Sequence, residues 1–119
     1  MSVPQNANEV VQHLLELSRQ LEKVTNELND ADMKAVNKRE DAKMAESRAF
    51  LGAEGTIESR KHTAIVESHT ERLEAETAEA IVRGLQRSVR TLQTRIDVGR
   101  TYGATLRSEL AVLGSGVLP

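Results

Sequence analysis

The chain has 119 residues, 29% of them charged and 2% aromatic, with a formal net charge of −2 and no cysteine. Phe50 and Tyr102 are too few large rings for the core of a compact globule, and the missing thiols exclude a disulfide framework. No apolar run approaches the roughly 20 residues of a membrane span, and the N-terminus lacks a basic flank followed by an apolar stretch, so a protein of the cytoplasm with no membrane partner is expected.

From the N-terminus, an arm over residues 1–6 leads to Asn6, which with Glu9 three residues later has the pattern of a capping box. Helix one is expected over about 7–51. Steps of four and three residues from Val10 select Val10, Leu14, Leu17, Leu21, Val24, Leu28, Ala31, Ala35, Lys38, Ala42, Ala45 and Ala49, a seam with one polar member. Such a stripe, sustained over several heptads, must be buried on another helix. Its leucine half buries more area than its alanine half, and at about 25 cal/mol per Å2 it carries more of the stability.

Gly52 and Gly55 make the best turn in the chain, over about 52–56, with Thr56 as the N-cap of the next helix. Helix two is expected over about 57–113, and its seam runs through Ala75, Ala78, Val82, Leu85, Val89, Leu92, Ile96, Gly99, Gly103, Leu106, Leu110 and Leu113. Val66, Leu73 and Ala80 follow a frame three residues out of step, which predicts a stutter or a break near Gly84 and leaves open a three-helix arrangement. One unbroken helix through the glycines is the competing reading, since the two cost a long helix only about 2 kcal/mol. Gly114 closes the helix, and 114–119 reads as a loose tail. The fold class expected is all-α, a long antiparallel helical hairpin of coiled-coil type in a single domain over 7–113. Helix two overhangs helix one at Leu106, Leu110, Val112 and Leu113, and two helices make a thin core. The chain is therefore expected to assemble with itself, as a dimer or higher helical bundle.

Charge is unevenly spread. Residues 62–81 hold five acids and one base, whereas 82–119 hold two acids and six bases, all arginine: Arg83, Arg87, Arg90, Arg95, Arg100 and Arg107. Arg83, Arg87 and Arg90 lie opposite the Leu85, Val89, Leu92 seam, and Arg100 and Arg107 flank it. Guanidiniums at i, i+4 and i+7 can follow phosphates, which makes nucleic acid or an acidic protein a candidate partner. The bland alternative is a solvated face in which Glu79 pairs with Arg83 four residues on. No aromatic residue is counted among the arginines to stack on a base. Gly99 and Gly103, both on the seam, predict close helix approach at a subunit interface, with a hinge as the competing role.

Glu67, Glu71 and Glu74 share helical spacing, but no Glu-x-x-His pair accompanies them and His62 and His69 stand two turns apart, so neither metal nor cofactor is expected. A cysteine nucleophile, a phosphate-binding glycine loop and a Gly-x-Ser-x-Gly elbow are all missing, and no enzyme is expected. Ser-Arg-Ala-Phe-Leu-Gly-Ala-Glu-Gly-Thr at 47–56, Arg60-Lys61, Arg95-Ile-Asp-Val-Gly-Arg100 and Leu106-Arg-Ser-Glu109 resemble small coiled-coil and helical-hairpin proteins of tailed bacteriophages. The resemblance covers about half the chain. It implies a phage protein acting in the host cytoplasm, in DNA replication or recombination, with a phage or host protein as partner, and it brings no catalytic or binding residues. A structural protein of the virion or an inhibitor that sequesters a host factor is the alternative function.

Overall fold

In the computed structural model, which describes residues 4–114, Asn6 opens the first helix as its sequence predicts. Its Oδ1 accepts from the Glu9 amide at 2.9 Å, and Glu9 Oε2 accepts from the amide of Gln5, one residue earlier than a capping box requires. Helix α1 then spans Ala7–Gly52, α2 Ile57–Glu67 and α3 His69–Gly114, and no strand occurs among the described residues. Of the tail expected at 114–119, Gly114 is the last residue of α3, while 115–119 and the first three residues of the arm lie outside the described residues.

Between α1 and α2 the two glycines do different work. Gly55 has φ +106°, the only positive φ among the described residues, so it alone takes the left-handed backbone that a side chain resists. Gly52 stays helical, with open space where a Cβ would be. Thr56 caps α2 with its hydroxyl, which accepts from the Ser59 amide at 3.1 Å. Gly55→Ala should therefore cost about 1–2 kcal/mol in chemical denaturation. Gly52→Ala, at a helix end with no clash, should gain a few tenths to about 1 kcal/mol. Equal effects at the two sites would contradict this division of labour.

The break in the second half of the chain falls at Ser68, and Gly84 lies inside α3. Ser68 is fully buried; its Oγ donates to Ala64 O at 2.6 Å and accepts from Arg72 Nε at 3.3 Å, while Arg72 Nη2 donates to Ile65 O at 2.6 Å. Arg72 thus satisfies a carbonyl that the interrupted helix leaves without an amide. The break does not shift the seam. Ser68 N to Ala64 O and Arg72 N to Ser68 O remain bonded at 3.1 and 3.0 Å, and Ala64, Ser68 and Glu71 continue the frame of Ala75. Val66, Leu73 and Ala80, expected to form a shifted seam, are exposed.

The contacts group into two compact units: one formed by the residues through Thr25 with those from Arg87 onward, the other by Asn26–Gln86. In the first, Leu17, Leu92 and Ile96 make the buried centre, with Leu14, Leu21 and Val24 packed against it. In the second, Ala35, Ala78 and Val82 do so, joined by Leu28 and Ala31. Rising numbers on α1 meet falling numbers on α3 in each, so the paired helices are antiparallel, as a helical hairpin requires. Leu85, Val89 and Leu106 are half-buried, whereas Leu110, Val112 and Leu113 are exposed.

Gly99 and Gly103 do permit close approach, here to α1 of the same chain. A Cβ on Gly99 would stand 2.8 Å from Leu14 Cδ2, and one on Gly103 3.0 Å from Val10 Cγ1. Gly103→Leu should accordingly destabilise by about 1–3 kcal/mol through overpacking, measured as a lower urea midpoint. An unchanged midpoint would restore the hinge reading.

Candidate functional site

The six arginines from Arg83 to Arg107 are all exposed, and among the described residues none of them joins an ion pair or a side-chain hydrogen bond within the chain. For Arg83 the reason lies in how α1 uses two acids of α3. Lys38 Nζ reaches Glu74 Oε2 at 3.1 Å, and Arg39 Nε donates to Glu79 Oε1 at 3.1 Å. Glu79, which helical spacing offers to Arg83, is taken across the helix pair by Arg39. A local rule of i, i+4 pairing yields here to a tertiary contact.

The structure does not gather the arginines on one face. Arg83 belongs to the second unit, and the other five belong to the first. Arg87 and Arg90 point away from the helix pair, opposite Val89, Leu92 and Ile96. Arg95 lines a shallow groove with Pro4, His13, Val98 and Tyr102. Arg100 and Arg107 line another, on the far side of Gly103, with Ala7, Val11 and Leu14. The first unit is therefore ringed by positive charge along α3, and its only acids after residue 86 are Asp97 and Glu109. Exposed guanidiniums without internal partners keep their forked donors available to phosphate or carboxylate oxygens.

The expectation that no aromatic residue lies among the arginines overlooks Tyr102, which stands between Arg100 and Arg107. Its hydroxyl donates to the Pro4 carbonyl at 2.7 Å, which holds the N-terminal arm against α3, and its ring lines the groove beside Arg95. The clue in the sequence is that it is the only tyrosine and lies in the arginine run. Its contact to residue 4, ninety-eight positions away, has no local signature.

The remaining titratable residues bring little together. His62 Nε2 stands 3.7 Å from Glu58 Oε1 on the exposed side of α2, and among the described residues no three His, Asp or Glu side chains gather as metal ligands. Among the described residues no helix is long and apolar enough to cross a membrane. Comparison of the chain with protein-family models, curated proteins and solved structures returns no match.

Proposed function

We propose that the protein is a non-enzymatic helical binding module whose α3 arginines engage a polyanion, in the first instance the backbone of a nucleic acid. The observation that supports this is the set of unpaired guanidiniums on α3, in a chain that spends Lys38 and Arg39 on internal ion pairs. Exposed guanidiniums in a stretch with few acids raise the local positive potential and can displace counterions from a phosphate backbone. On this reading the leucine seam is scaffold, the protein works as a coiled-coil oligomer, and its task is that of an accessory factor in DNA replication or recombination, as the phage-type resemblance implies. A purely structural or inhibitory interaction protein is the second reading, favoured by the overall charge of −2 and by the acids of α1.

The test is binding of labelled double- and single-stranded DNA by the full chain, read by anisotropy in about 50 mM salt, a concentration at which phosphate contacts are little screened. Binding that weakens stepwise as Arg87, Arg100 and Arg107 are changed to glutamine supports the proposal. No binding at low salt, with recovery of an acidic protein instead, would establish the second reading.

A further inference from the structure

Arg100, Ala104, Arg107 and Ala111 form one row along α3 at steps of four and three, with the two guanidiniums two turns, or about 10.5 Å, apart. Only the methyl of Ala104 stands between them on that row. Beside it Ala7, Val11 and Leu14 of α1 and Gly103 of α3 enclose a hollow of about 220 Å3, rimmed by Arg100 and Arg107. Val11 is 53% exposed there, and Gly103 adds no side chain to fill the space, since a Cβ would press on Val10. All of these residues belong to the first compact unit. The result is an aliphatic hollow with a cation at each end.

The acids of the unit are turned away from it. At about 100° per residue, Glu109 leaves α3 about 160° round the helix from Arg107, and Glu9 and Glu16 leave α1 about 140° to 180° from Ala7 and Val11. Glu22 shares the flank of Val11 but stands about 12 Å beyond Leu14 along α1. Asp97, the nearest in sequence, lies one turn before Arg100 and about 60° further toward the outer side of α3, and among the described residues no ion pair joins the two. The potential over the hollow is therefore positive.

We infer that this groove binds an acidic amphipathic helix of another protein, whose apolar side chain enters the hollow while carboxylates seven residues apart meet Arg100 and Arg107. A helix brings the same face round after seven residues, so acids at i and i+7 with an apolar residue at i+3 or i+4 match the row on α3 in spacing. Nucleic acid fits this groove less well. Its phosphates would meet the two arginines, but no aromatic ring lines the hollow to stack on a base, and the aliphatic wall would be left uncovered. A second copy of the chain fits no better: the acids it carries at that spacing, Glu9 with Glu16 and Glu67 with Glu74, enclose Gln12 and His13 or Thr70 and Glu71, none of them apolar. The inference goes beyond the polyanion reading and does not depend on it, because it turns on Val11 and on two of the arginines only.

The test is titration of the full chain into a fluorescein-labelled, alanine-based peptide of about 18 residues, long enough to hold a helix, with two glutamates seven residues apart and two leucines between them. The control is its isomer with the glutamates five residues apart, on different sides of the helix. The first peptide should bind at least about fivefold tighter than the isomer. Arg100→Gln with Arg107→Gln should weaken it about tenfold and Val11→Asn about threefold, whereas Arg90→Gln with Arg95→Gln should leave it within about twofold. Replacing the peptide's glutamates by lysine should restore binding to Arg100→Glu with Arg107→Glu, to within about threefold of the original. Val11 and these arginines are exposed, so none of the changes empties the core. Equal binding of the isomer, or an equal loss from the changes at Arg90 and Arg95, would reduce the contact to diffuse charge and overturn the inference. No binding at about 1 mM peptide would overturn it too. Binding of a single-stranded oligonucleotide that weakens with both Val11→Asn and Arg100→Gln, where the peptide does not bind, would give the groove to nucleic acid and overturn it as well.

Discussion

Replacing Leu17 by alanine should lower the stability of the protein by about 2–3 kcal/mol, the largest effect expected of any single seam truncation. Leu17 is 3% exposed and packs on Leu92 and Ile96, with Leu14, Leu21 and Val24 closing around it. In the second unit the corresponding positions are Ala35 and Ala78, whose small side chains leave little area to lose. The apolar transfer term therefore concentrates in the leucine half of the seam. A deep core would add a larger cavity penalty, but a two-helix contact lets water or neighbouring side chains fill the space, which keeps the loss near the low end of the range for Leu→Ala. Urea denaturation followed by circular dichroism should show a lower midpoint with an unchanged slope. Leu15→Ala, at a position 51% exposed, is the control and should stay within about 0.5 kcal/mol of the parent. A Leu17→Ala midpoint that does not move would mean that the leucine seam does not hold the unit together.

The second large effect is on ligand binding. If five to six arginines each displace a counterion from a DNA phosphate, the logarithm of the affinity should fall with the logarithm of salt concentration with a slope of about −5. Between 50 and 200 mM salt that amounts to a loss of about a thousandfold. Each Arg→Gln change among Arg87, Arg90, Arg95, Arg100 and Arg107 should make the slope shallower by about 0.9, and the combined variant should lose measurable binding. The internal control is Lys38→Gln with Arg39→Gln. Those two cations are engaged by Glu74 and Glu79, so their removal should leave the slope nearly unchanged. A slope insensitive to the arginines but sensitive to Lys38 and Arg39 would reverse the assignment of the site.

Much of this molecule was legible in its residues because helical burial is a periodic property. A seam chosen by steps of three and four specifies which side of each helix faces its neighbour whatever that neighbour is, and the seam positions from Val10 to Ala49 are all buried or half-buried. Caps at Asn6 and Thr56 are equally local, since a side chain reaches an amide three residues on. The arginine run could be read as exposed for the same reason, but whether its charges were already answered could not.

What the sequence by itself determined, then, is the all-helical architecture, the buried stripe of each helix and the exposure of the arginines, because each follows from spacing within one element. The tertiary structure alone decided the contacts between residues far apart in the chain. Arg39 takes Glu79 away from Arg83, and Leu14 and Val10 fill the space that Gly99 and Gly103 leave open. Tyr102 ties down Pro4, and the break comes at Ser68, where a buried hydroxyl and Arg72 can satisfy the interrupted backbone, while Gly84 stays within its helix. Helical periodicity tells which side of a residue is covered; the identity of the atom that covers it depends on how two distant stretches of backbone meet.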